Sequence, residues 1–166
     1  MIKMILVPID GSEHAQKAVE LAGDIAGKYK ARIKLLYVRP EGPLPAPLRH
    51  LAAVEYGLEA RPEMPEGRPT ATLRADGASD AEVSRKLGEK LLERAQRDAR
   101  EHGAGDVTGE VEDGDPAERI LDHAEKDGAN LIVMGSRGIG NLRGLLMGSV
   151  SQKVSQLAPC SCITVR

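Results

Sequence analysis

The 166 residues carry 23 Lys and Arg against 25 Asp and Glu, so no broad positive field draws the chain to nucleic acid or to an anionic membrane. Phe and Trp are absent and only 3 Tyr are present, which removes the aromatic platforms that single-stranded nucleic acid stacks on. No run approaches the roughly 20 apolar residues that cross a bilayer, and the N-terminus has no basic flank leading into a long apolar segment.

One cytoplasmic domain over residues 1–166 is therefore expected, with a core of Leu, Ile, Val, Ala and Met. Met4 to Ile9 is a short apolar run that ends at Asp10-Gly11-Ser12, the pattern of a buried strand followed by a helix cap. From Glu13 to Tyr29, the residues Ala15, Ala18, Val19, Ala22, Ile25, Ala26 and Tyr29 recur at helical steps and predict one core-facing stripe. Arg32 to Val38 reads as a second strand, stopped by Pro40.

Residues 41–77 change character, with Pro43, Pro45, Pro47, Pro62, Pro65 and Pro69 spread through weakly periodic sequence. This stretch reads as a Pro-rich surface insertion with a short helical turn near Arg49 to Leu58. Regular pattern returns at Asp80 to His102, where Val83, Leu87, Leu91, Ala95 and Ala99 line one side of a charged helix. Val107 to Glu112 supplies a third strand. Asp115-Pro116-Ala117-Glu118 then starts a helix that buries Ile120, Leu121 and Ala124, since Asp can cap and Pro suits the first helical position. Asn130 to Met134 is a fourth strand, Gly148 to Leu157 a short helix, and Cys160 to Val165 a last strand. Strands alternating with helices specify a parallel sheet covered on both faces.

Cys160 and Cys162, the only cysteines, have C-x-C spacing rather than a redox or zinc pattern and read as buried reduced thiols. His14, His50, His102 and His123 share no ligand spacing and read as solvated. No metal ligand and no catalytic residue is assigned.

The chemistry concentrates in Met134-Gly135-Ser136-Arg137-Gly138 and, after nine intervening residues, Gly148-Ser149. A strand that feeds a glycine-rich loop and then a helix N-terminus is where phosphate binds, because glycines admit close approach and unpaired N–H groups face the anion. Two phosphate motifs fail here. Gly135 and Gly140 have Walker A separation, but Asn141 replaces the lysine. Gly138-Ile139-Gly140 begins a dinucleotide fingerprint, but Arg143 stands at the third glycine.

The pattern G-x-x-G-x9-G-[ST] is met by Gly135, Gly138, Gly148 and Ser149. With Val7-Pro8-Ile9-Asp10-Gly11-Ser12, the strand ending at Val38, and Ala158-Pro159-Cys160-Ser161-Cys162-Ile163-Thr164-Val165, the chain resembles the ATP-binding universal stress proteins. The resemblance covers about residues 1–40 and 79–166. It implies an open five-stranded parallel α/β sheet of Rossmann-like, nucleotide α-hydrolase type, in the order 3-2-1-4-5. It further implies a bound adenine nucleotide: ATP, or ADP or AMP in its place, with Mg2+ accompanying the phosphates.

By motif position, Asp10 would receive the ribose hydroxyls and Pro8 and Val38 would border the adenine. Met134 and Gly135 would line the strand end, and Gly138, Gly148, Ser149 and Val150 would hold phosphates and ribose. Ligands of open parallel sheets bind at strand C-terminal ends where the order reverses, and Asp10, Val38 and Gly135 are three such ends. Asp10 alternatively caps the first helix, and the glycines alternatively serve turns. Arg137 and Arg143 either neutralise phosphate or remain solvated. The family also implies a homodimer through the C-terminal strand and an unidentified protein partner.

The leading function is thus a nucleotide-holding stress regulator with slow or no hydrolysis. The alternatives are an adenylate-hydrolysing or adenylate-transferring enzyme on the same fold, opposed by the lack of an identifiable base, and an interaction protein that works without nucleotide. A response regulator fits least, since Asp10 is followed by Gly11 rather than by an acidic partner.

Overall fold

The computed structural model describes residues 1–39, 41–59, 79–139 and 147–166. In chain order these form β1 Met4–Ile9, α1 Glu13–Tyr29, β2 Arg32–Arg39, α2 Ala46–Tyr56 and α3 Asp80–Glu101. There follow β3 Asp106–Asp113, α4 Pro116–Lys126, β4 Leu131–Gly135, α5 Ser149–Leu157 and β5 Ser161–Val165. The strands make one parallel sheet in the order β3-β2-β1-β4-β5, as expected. Ile5, Leu6 and Val7 of the central strand are fully buried, because helices cover both faces and leave no polar side for the strand to show.

Alternate residues of each strand divide the core in two. Ile5, Val7, Ile33, Leu35 and Tyr37 meet α1 and α3 through Val19, Val83, Leu87 and Leu91. Leu6, Leu36, Ile132 and Met134 face the other way, against Ile120, Ala124 and Val154 of α4 and α5. On the first face glycines allow backbone contact. A Cβ at Gly23 would lie 2.8 Å from Ala99 O, and one at Gly88 would lie 2.7 Å from Tyr37 Cε1, so neither position accepts a side chain without displacement.

Helix starts follow capping chemistry. Ser12 accepts from Ala15 N at α1, and Ser79 and Glu82 form a reciprocal capping box at α3. Asp115 accepts from Glu118 N at α4, with Pro116 at the first helical position. Gly11 precedes the Ser12 cap at φ +85°, a left-handed conformation that glycine adopts without strain.

Several expectations are corrected. Tyr29 is 48% exposed and does not complete the α1 stripe, because it occupies the last turn before the chain reverses at Lys30 in the left-handed conformation. The helix in the 41–77 segment begins at Ala46 rather than near Arg49, since Pro47 sits in its first turn, and it ends at Tyr56 before Gly57. This stretch is also not wholly a surface insertion: Leu44, Leu48 and Ala52 are buried in the α1–α3 core, and Asp80 accepts from both Leu44 N and Arg49 Nη2. Pro40, Pro62, Pro65, Pro69, Gly140, Asn141 and Arg143 lie outside the described residues.

Candidate functional site

β1 lies between β2 and β4, so the crossovers that follow β1 and β4 leave in opposite directions and open a crevice at the strand C-terminal ends. A cavity of ≈290 Å³ fills it, near the lower end of the ~300–1,000 Å³ usual for small-molecule sites. Pro8, Asp10, Val38, Met134, Gly135, Arg137, Gly138, Gly148, Ser149 and Val150 all line it. The cavity thus gathers the ten site residues from the sequence that the structure describes, Arg143 lying outside the described residues. Ile9, Ala15, Leu36, Pro116, Ile120 and Ser151 complete the wall and were not anticipated. They are ordinary core and helix-start residues, and their one sequence signal was the Asp115-Pro116 start that points α4 at the crevice.

Asp10 organises one side. Its Oδ1 accepts from Ser12 N at 3.0 Å and from Ser12 Oγ at 2.6 Å, while Oδ2 accepts from Ile139 N at 2.9 Å. Ser12, not Asp10, caps α1, and Asp10 braces that cap against the glycine loop. Neither Gly138 nor Gly148 has positive φ, so a left-handed turn is not their reason. A Cβ at Gly138 would come within 2.5 Å of Asp10 Oδ2, and one at Gly135 within 2.9 Å of Ala15 N. Close approach to backbone requires glycine at Gly135, and a side chain at Gly138 would have to displace the Asp10 carboxylate. Gly148 has room for a Cβ, its nearest neighbour being 3.7 Å away.

The opposite side is the start of α5. Gly148 occupies its N-cap at φ −77° and ψ 162° and offers no side-chain cap, unlike the Ser12, Ser79 and Asp115 caps. Gly148 N donates to Ser136 O at 2.8 Å, and the buried Ser151 Oγ donates to the same oxygen at 2.7 Å. These bonds fix the turn, and Ser149 and Val150 of the first helical turn line the cavity, where the helix dipole favours an anion. Asp10 is the one carboxylate lining the cavity among the described residues, and its oxygens are already engaged. The residues therefore fit a nucleotide but offer no protein cage for Mg2+, which the phosphates themselves would have to carry.

His14 and His123 depart from expectation, whereas His50 and His102 are exposed as expected. His14 Nδ1 stands 3.1 Å from Ser136 Oγ beside the cavity, and His102 Nδ1 pairs with Asp24 Oδ1 at 3.1 Å. His123 is not solvated at all: its side chain is 5% exposed and lies between Glu112 and Asp127, because it falls three residues after Ile120 on the buried stripe of α4. Cys160 and Cys162 are free but half-buried rather than buried. Burial pushes both thiols up, with Cys160 adding to it at Cys162, and this disfavours thiolate chemistry. No helix among the described residues is long and apolar enough to cross a membrane.

An open parallel α/β sheet with a cavity at its switch point defines a class of ligand-binding proteins, and comparison with known proteins narrows it. The chain belongs to the universal stress protein family, whose model matches residues 1–166. It is 36% identical over 166 residues to Universal stress protein YxiE of Bacillus subtilis, with 100% of both chains covered. Among solved structures it resembles universal stress protein UspA from Lactobacillus plantarum, with a TM-score of 0.73, 25% identity, and 99% and 98% of the two chains covered. The fold is also shared with a universal stress protein family protein from Arabidopsis thaliana that has AMP bound. That match has a TM-score of 0.58 and 19% identity, and covers 98% of this chain and 90% of the other.

Proposed function

We propose that the chain binds an adenine nucleotide in the switch-point cavity and acts in stress response by holding it rather than turning it over. The observation that carries this reading is the pairing of two unlike walls around one aliphatic cavity. The uncapped α5 N-terminus suits phosphate, and the Asp10 carboxylate, set apart from it, suits a sugar diol. Leu36, Val38, Met134 and Ile120 give the base an apolar bed. The AMP-bound relative from Arabidopsis thaliana supports an adenine ligand on this fold. ATP with Mg2+ on its phosphates fits the same reading, with ADP and AMP as shorter occupants.

Calorimetry with AMP, ADP and Mg2+-ATP tests it. A hydrogen bond to a charged acceptor contributes about 1.5–3 kcal/mol, so Ser149→Ala is expected to weaken binding roughly tenfold to a hundredfold. Gly138→Val should abolish it by driving a side chain into Asp10. Unchanged affinity in both variants would sink the proposal.

The same family reading includes a homodimer through β5, whose described pairing is to β4 on one side only. Removal of residues 161–166 is expected to yield monomer or aggregate by light scattering, and an intact dimer would exclude that interface.

A further inference from the structure

Far along the sheet from the β1–β4 crevice, the edge strand β3 and helix α4 bring together charged groups that the nucleotide reading does not use. Val107 and Val111 of β3 pack toward the α1–α3 core, and a Cβ at Gly109 would meet Leu92 and Gln96 of α3. The alternate residues Glu110 and Glu112 therefore share the opposite face, under α4. There His123, 95% buried, presents Nε2 to Glu112 Oε1 at 3.3 Å and Nδ1 to Asp127 Oδ2 at 3.2 Å. Lys34 Nζ bridges Glu110 Oε2 and Asp127 Oδ2, at 2.7 Å from each.

The donor set and the charge of this arrangement suit a cation. If the Nδ1–H of a neutral His123 donates to Asp127, then Nε2 and Glu112 are two acceptors face to face, and something positive must lie between them. A proton there would give an imidazolium–carboxylate bond, which normally closes to about 2.7–2.9 Å. The observed 3.3 Å is longer. It is also close to the separation of about 3.4 Å between two ligand atoms on a tetrahedral zinc ion with bonds of ~2.0–2.2 Å. Charge agrees as well. Glu110, Glu112 and Asp127 against Lys34 leave two negative charges around the His123 ring, which one divalent cation would cancel.

We propose that Glu110, Glu112 and His123 bind one divalent transition-metal ion of the Zn2+ type. Their donor atoms lie within 4.8 Å of one another, so modest side-chain rotation closes the site. Asp127 fixes the histidine tautomer and ring, the carboxylate–histidine arrangement typical of zinc ligands, and Lys34 holds Asp127 and one oxygen of Glu110 in place. Water takes the fourth position, since Glu110 and Glu112 are partly exposed. The ion would clasp the sheet edge to α4, whose Pro116 and Ile120 line the cavity.

The test uses the full chain, stripped with a chelator and carrying Cys160→Ser and Cys162→Ser so that thiols cannot contribute. Titration with ZnCl2, without nucleotide, is expected to show one saturable equivalent and a rise in Tm. CoCl2 should give the visible absorption of a tetrahedral complex. His123→Gln and Glu112→Gln should each weaken Zn2+ binding at least tenfold, and Asp127→Asn about tenfold through the histidine. Absence of a saturable equivalent, or equal binding in Glu112→Gln, overturns the proposal. Glu112 is partly exposed, so its variant decides the matter even if His123→Gln fails to fold.

Discussion

On the α1–α3 face of the sheet, Leu35, Val83 and Leu87 are sealed from solvent and glycines bring backbones into contact. On the α4–α5 face Leu36, Met134 and Ile120 are buried just as well, but they also border the switch-point cavity. The buried histidine and its carboxylates lie under α4 on that second face too. The chain thus separates its work, with packing density on one side of a shared sheet and ligand chemistry on the other.

Substitutions on the two faces should therefore have different signatures. The largest stability effect is expected at Leu87→Ala, which empties a fully buried position and costs about 2–5 kcal/mol. Urea denaturation measures this loss, and nucleotide affinity should stay within about twofold of the parent while the protein is folded. A large affinity change would mean that the faces are coupled through β1 and β2.

A smaller effect is expected at Asp115→Ala, which removes the α4 cap beside the cavity residue Pro116 and costs about 1 kcal/mol at neutral pH. The Glu118 backbone N–H, opposed by slight burial and helped by Lys153, holds the Asp115 carboxyl below its usual range. A carboxyl with a depressed folded-state pKa stabilises above its unfolded value of about 3.9, and that stability is lost as pH falls through the folded value. The gap between Asp115→Ala and its parent should therefore shrink below about pH 3.9 in acid-unfolding curves. Nucleotide affinity should fall with the cap, in contrast to Leu87→Ala, and a cap variant with parental affinity would blur the distinction between the faces.

Much of this organisation was legible in the sequence because it rests on local rules. The strands are uninterrupted apolar runs, and three helices begin at Ser12, Ser79 and Asp115, residues whose side chains cap. The glycine spacing marked the cavity wall because Gly135 answers to a backbone contact that no other residue tolerates and Gly138 to the Asp10 carboxylate. Leu36 and Ile120 were not legible, since nothing distinguishes a leucine beside a cavity from one in a core until the crossovers are in place. His123 was hidden for a related reason: its partners come from another strand and from beyond its own helix. The step from Ile120 to His123 on the apolar stripe was the signal available, together with the Glu110-x-Glu112 alternation.

The Asp10 carboxylate has about four lone-pair directions, and two N–H groups and a hydroxyl occupy it before any ligand arrives. A sugar hydroxyl reaching Asp10 either takes the remaining direction or displaces the Ile139 N–H. In the second case the number of hydrogen bonds at Asp10 is unchanged, so contact there contributes selectivity more than affinity. The strength of binding would then come from the apolar bed and the helix end.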